Sequence, residues 1–344
     1  MILKAIKIKD LSIIIGIIVL AVLITSIFIF KSFAIQEEEK KYIKWVDYNV
    51  PLNIMEKTAK LDIDSHTNGE EVQLNWIKLL SYLASKYGGN FKSFKQKDLD
   101  NVVERLKNGE TMEQITKDMK LYSYYIEAYT AILSQFIGKY QIEILQEDGT
   151  KNYKEKYGIK AFLPIAKNYG FSHYDDFGNS RSYGYKRIHL GNDLMGSIGT
   201  PIIAVESGIV EALGWNQYGG WRIGIRSFDK KRYYYYAHLR KNHPYAKDLK
   251  EGDIVKAGDV IGYLGMTGYS TKENVNNINV PHLHFGMQLI FDESQKEGVN
   301  QIWIDVYNII NFLKKNKSEV YRAYQETKDY KRKYDIIDPI IPEE

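Results

Sequence analysis

The apolar positions of this chain change rhythm three times. Leu11 to Phe30, LSIIIGIIVLAVLITSIFIF, runs for twenty residues without a charge. At 1.5 Å per residue that is about 30 Å, the thickness of a bilayer's hydrocarbon core. It also outruns the roughly 7–15 apolar residues of a cleavable signal peptide. Lys4, Lys7 and Lys9 precede the stretch and EEEKK follows it. The positive-inside rule then predicts a single-pass anchor in the cell membrane, residues 1–34, with its N-terminus cytoplasmic and all that follows outside.

Residues 35–69 are polar and irregular and read as a linker. From Val72 the period becomes helical: Val72, Trp76, Leu79, Leu80 and Leu83 form one apolar stripe. Leu99, Val102, Val103 and Leu106 form a second, stopped by Asn108–Gly109. Thr111 followed by Gln114 reads as a capping box, and YSYYIEAYTAILSQFIG predicts a further helix closed by Gly138. A small all-α domain over 70–140 follows from these stripes, with a linker over 141–159. Beyond about residue 160, short β-rich runs alternate with Gly and Asn turns, among them TPIIAVESGIVEALGW, KRYYYYAHL and HLHFGMQLIF. Such spacing indicates an antiparallel sheet folded on itself. WIDVYNIINFLKK reads as a closing helix, and 315–344 as a charged tail. The class expected is α+β and multidomain.

Composition narrows the chemistry. The chain has no cysteine, which removes thiol nucleophiles, disulfides and Cys-type zinc sites, so any metal falls to His and carboxylate ligands. A formal charge of +4 over 344 residues permits an anionic polymer as partner but makes no nucleic-acid footprint. The 28 tyrosines, against 13 Phe, suit half-buried strands and grooves for polar polymers.

Six of the seven histidines fall between His173 and His284. His282 and His284 are two apart on an alternating strand and therefore share a face. His189 and Asp193 are four apart, and His238 closes a strand on which Tyr234 and Tyr236 face the same way. Several His with one Asp and no Cys make a donor set suited to catalytic zinc, three ligands leaving one place for water. Any one of these histidines taken alone reads equally well as a core or surface residue bonded to backbone.

Taken together and in order, HLGND, GTPIIAVESGIVEALGW, YYAHL, GDVIGYLGMTG and HLHFGM resemble the M23 (LytM/lysostaphin-type) peptidoglycan metallo-endopeptidases, over about residues 160–314. The resemblance implies a coiled antiparallel β-sheet crossed by a groove. It implies Zn2+ held by His189, Asp193 and His284, with His238 and His282 as non-ligand catalytic histidines. His282 would act as general base and His238 would assist the oxyanion or the leaving amine, with Tyr183 or Tyr185 as a further candidate. The insertion STKENVNNINVP before HLH is longer than the family's usual link and is expected to form a groove wall. His66, His173 and His243 match no family position and read as surface residues.

GDVIGYLGMTG lacks the Lys and helix of a phosphate loop. GGWRIGIRSFDKKRYYYY reads as a sheet bordering the groove rather than a nucleic-acid surface. The function expected is hydrolysis of amide bonds in peptidoglycan stem peptides or cross-bridges by a membrane-anchored zinc endopeptidase. The alternative is a non-catalytic or autoinhibited LytM-like scaffold in a cell-envelope complex.

Overall fold

In the β-rich half, alternation of apolar and polar side chains builds a sheet with one face in the core and one in solvent. The computed structural model describes residues 15–16, 18–26, 42–146, 149–183 and 185–342. Its central sheet has eight strands. Seven lie in the order β11 (Ile254–Val255), β8 (Gly208–Asn216), β9 (Gly220–Ser227), β10 (Arg232–Ala237), β13 (His282–Leu289), β6 (Asn192–Gly196) and β3 (Phe171–His173), with β14 (Ile302–Ile304) paired to β13. All of these pairs are antiparallel. Ile223, Ile225, Tyr234, Tyr236, Leu283 and Phe285 point inward and are fully buried. Their sequence neighbours form the opposite face, where the candidate site lies.

The helices are α1 (Leu52–Thr67), α2 (Trp76–Tyr87), α3 (Gln96–Lys107), α4 (Met112–Thr116), α5 (Tyr122–Leu133) and α6 (Tyr307–Leu313). Their ends follow local chemistry. Asn75 accepts from the Lys78 amide at the start of α2, and Gly88 closes it at φ 60°. Thr111 and Gln114 form the expected reciprocal capping box of α4.

Several expectations are corrected. The helices do not form a separate all-α domain: Leu79, Leu83 and Ile132 share one buried cluster with Ile223, Leu283 and Phe285 of the sheet, and Trp76 stacks on Phe312 of α6 at 5.5 Å. Part of the expected 35–69 linker is α1. It buries Ile54, Met55 and Ala59, and its buried Asp62 accepts from the Trp76 amide at 2.8 Å and the Tyr157 hydroxyl at 2.7 Å. Helix α5 ends at Leu133, and Gly138 lies instead in β1 (Ile137–Leu145), opposite Gly158 of β2 (Lys151–Ile159). The stretch expected as a second linker is thus a hairpin, disguised by the exposure of most of β2. The expected tail carries β15 (Val320–Tyr324), β16 (Asp329–Arg332) and β17 (Ile336–Ile337). It is pinned by Asp338, which bonds buried Lys160 and Ser207, each at 2.8 Å.

The transmembrane helix expected over 11–30 is also corrected, and with it the cell-membrane localisation. No helix among the described residues is long and apolar enough to cross a membrane. The consecutive helical residues 18–26 rise about 14 Å, less than half of a core about 30 Å thick. The rest of the 11–30 stretch, apart from residues 15–16, lies outside the described residues.

One buried ion network ties the helices to the sheet. Arg232, wholly buried, donates to Glu206 through Nε at 2.8 Å and Nη2 at 3.0 Å, and to the Ala131 carbonyl of α5 at 2.6 Å. Tyr234 donates to the same Glu206 at 2.6 Å. Removing one member of such a pair leaves a buried charge without compensation. Arg232→Ala is therefore expected to lower the unfolding free energy by about 3–5 kcal/mol, read as a fall in the urea midpoint. A midpoint equal to the parent's would show that the network contributes no stability.

Candidate metal centre

The register of the sheet brings residues ninety positions apart into one place. Asp193 on β6 lies directly across from His284 on β13, and His284 in turn lies across from Ala237 on β10. Side chains of directly opposed residues stand about 5 Å apart on the same face. His189 reaches this pair from the turn that enters β6. Its backbone is held there by bonds to the 178–179 turn: its amide donates to the Asn179 carbonyl and its own carbonyl accepts from Gly178, both at 2.9 Å.

Nε2 of His189 lies 2.9 Å from Nδ1 of His284 and 3.1 Å from Oδ1 of Asp193, and the last two atoms are 3.1 Å apart. His189, Asp193 and His284 form a group able to hold a metal ion, their ligand atoms all within 4.8 Å of one another. The tautomer of His189 supports the fit. Its Nδ1 faces the Asp176 carbonyl at 3.0 Å and donates its proton there, so that a metal ion would replace the proton on Nε2, the atom that faces the other two donors. Ligand atoms of a tetrahedral ion bonded at about 2.0–2.2 Å sit roughly 3.3–3.6 Å apart, so the three need spread by only a few tenths of an ångström. Two nitrogens and one carboxylate oxygen suit zinc without cysteine.

Electrostatics bind the cluster. Burial favours the neutral acid of Asp193, but hydrogen bonds from His189 and His284 hold the carboxyl well below the usual range. Burial also opposes charge on His189, yet the Asp176 and Asp193 carboxylates raise it to about 9. His284 is lowered by burial, with Asp193 opposing and the neighbouring histidines adding to the fall.

Two more imidazoles border the centre without joining it. His282 directs Nδ1 at the Val280 carbonyl, 2.8 Å away, and keeps Nε2 3.7 Å from Oδ1 of Asp193. His238 directs Nδ1 at the Thr267 carbonyl, also 2.8 Å away, and its ring centroid is 4.7 Å from that of His282. Burial and then the charges of His282 and His284 push His238 well below its ordinary value. Its backbone is left-handed, φ 62°, a conformation that costs a non-glycine residue about 1 kcal/mol or more and clusters at functional positions. All five side chains line a groove of about 960 Å³, and Asn277 and Ile278 of the insertion before HLH line it too.

The remaining histidines lie elsewhere, half-buried and partnered rather than free on the surface. His66 stacks on Tyr157, His173 packs against Tyr307, and His243 bonds Asp329 at 2.8 Å. Tyr183 and Tyr185 end the two strands of a hairpin; their side chains lie outside the described residues. Sequence reasoning missed Asp176 and Arg181. Asp176 accepts from His189 through its carbonyl, and its carboxylate accepts from Arg181 Nη2 at 2.7 Å. Neither belongs to a recurring spacing; only the docking of the 174–179 turn against β6 brings them here.

Residues 187–300 match the model of peptidase family M23. An L-Ala–D-Glu endopeptidase of Bacillus subtilis is 42% identical over 131 residues, which cover 38% of this chain and 38% of that protein. Lysostaphin of Staphylococcus staphylolyticus is 38% identical over 135 residues, 39% of this chain and 22% of its own length. The chain thus spans well under half of either relative. The crystal structure of a candidate glycyl-glycine endopeptidase LytM of Ruminococcus gnavus superposes with a TM-score of 0.52 at 21% identity, covering 80% of this chain and 92% of that one. That likeness is one of fold.

Proposed function

We propose that this chain, whose residues 187–300 form a peptidase family M23 domain, is a zinc-dependent endopeptidase that hydrolyses amide bonds in peptidoglycan stem peptides or cross-bridges. The observation that carries the reading is the convergence of His189, Asp193 and His284 beside two non-ligand histidines in one open groove. Zinc held by the three would polarise the scissile carbonyl and make a nearby water acidic enough to attack near neutral pH.

The protein's own groups divide the proton work. His282, its Nδ1 proton committed to Val280, presents the Nε2 lone pair toward the centre and takes the proton from the attacking water. His238 is also locked with its proton on Nδ1, so as a neutral ring its Nε2 can only accept. It can therefore assist the departing amine only by relaying the proton that His282 has taken from the water, the two ring centroids being 4.7 Å apart. Asp176 orients His189, as carbonyl partners of metal-binding histidines do.

A scaffold that had lost catalysis would have no need to keep all five of these side chains. Self-inhibition by the helices finds no support either: the groove is lined by residues between 181 and 303, and none from 52–133 is among them. The test uses the full chain. Zinc near one equivalent is expected by elemental analysis, with amine release from bacterial sacculi that stops on chelation and returns with added zinc. A zinc-loaded protein that cuts no sacculus would overturn the hydrolase reading.

A further inference from the structure

The groove holds several cations that the proton-transfer scheme does not use. On β9, Ile223 and Ile225 are buried in the core, so Arg222, Gly224 and Arg226 face the groove side. Arg226 is committed to Glu293 at 2.8 Å and Glu211 at 3.5 Å. Among the other groove arginines, Arg181 pairs with Asp176, and Arg187 bonds the Tyr269 hydroxyl. Arg222 lines the groove half-buried and bonds the Tyr233 side chain, yet no carboxylate among the described residues pairs with it, and its Nε is buried without a hydrogen-bond partner. Of the acids beside it in the groove, Glu211 is held by Lys296 and Arg226, and Glu297 is exposed at the lip.

Its distance from the metal centre is set by the sheet. Tyr236 pairs with Ile223 at the end of the β9–β10 ladder and Ala237 pairs with His284, so Arg222 lies just past that ladder's end, two strands from His284. At about 4.8 Å per strand the two backbones are roughly 10 Å apart, which an extended peptide spans in about three residues at 3.3 Å each. The length of the Arg side chain shortens that gap.

We propose that Arg222 is a specificity-determining residue that binds a free carboxylate on the peptide substrate, within a residue or two of the bond cut. This rests on the peptidase reading and names the substrate class of the same groove: peptides bearing an acidic group there, in preference to neutral ones. A guanidinium offers its N–H groups as a planar fork that a carboxylate fills with two parallel hydrogen bonds. A carboxamide has one acceptor and no charge.

The test compares acetyl-L-Ala-D-Glu-L-Lys with its D-Gln counterpart. Cleavage by the zinc-loaded full chain is measured, together with binding of both peptides to zinc-loaded His282→Ala protein by calorimetry. The carboxylate peptide is expected to be favoured about tenfold or more. Arg222→Gln should bring it down to about the carboxamide level and affect the carboxamide peptide far less, while Arg222→Lys should restore part of the preference. Zinc content and urea midpoint show that each variant is folded, and the Lys variant decides should the Gln variant misfold. Equal handling of both peptides by the parent, or a preference that survives Arg222→Gln, overturns the assignment. Binding that discriminates without any cleavage supports Arg222 while counting against the hydrolase reading, so the two failures are distinct.

Discussion

Alanine at His282 is expected to leave zinc in place and cut amide hydrolysis by about 10²–10⁴-fold, the contribution of a positioned general base. The two halves of this result have separate origins. His282 is not one of the three closely spaced donors, and its Nε2 stands 3.7 Å from Asp193. Its backbone partner is Met195, and the neighbouring Leu283–Leu194 and His284–Asp193 pairs hold β13 on β6 without the ring. The ligands therefore stay where they are. What disappears is the lone pair aimed at the centre, together with the Val280 bond that aims it. His284→Ala should do the reverse, losing zinc first and activity as a consequence. Elemental analysis beside amine release from sacculi separates the two variants. A His282→Ala protein that digests as fast as the parent would remove the general base from the scheme.

The legible part of the molecule was the part whose spacing is fixed by local geometry. His282 and His284 share a face because a strand has a period of two. Thr111 and Gln114 cap a helix because the reach from one to the other is a single turn. The groups brought together by docking were not legible. Asp176 meets His189 only because a turn folds back onto β6, and Asp338 meets Lys160 across 178 residues. Polar composition also misled. The 52–67 and 151–159 stretches are rich in Lys, Asp and Glu, yet the first is a helix with a buried face and the second pairs along its whole length with β1. The hydropathy of 11–30 described a length of apolar chain, and the described helix is shorter than that length.

Gly191 shows how closely the centre depends on backbone approach, and the second large effect is expected there. A Cβ at this position would lie 2.6 Å from the Phe285 carbonyl oxygen and 2.8 Å from both Cε1 and Nε2 of His284. Neither neighbour can yield cheaply. The carbonyl belongs to the β6–β13 ladder, where Phe285 pairs with Asn192, and the ring is the proposed third ligand. Gly191→Ala must then part the two strands or turn His284 away from Asp193. Misplacing a ligand's support typically weakens metal binding about 10–100-fold, and forcing a methyl into a packed site costs about 1–3 kcal/mol. Zinc affinity by chelator competition and urea unfolding of the metal-free protein read the two effects separately. Gly158→Ala on β2, where a Cβ meets nothing within 4 Å, serves as control and should leave zinc affinity unchanged. If Gly191→Ala holds zinc as tightly as that control, the close packing of the 189–193 turn against His284 is not what sets the centre's geometry.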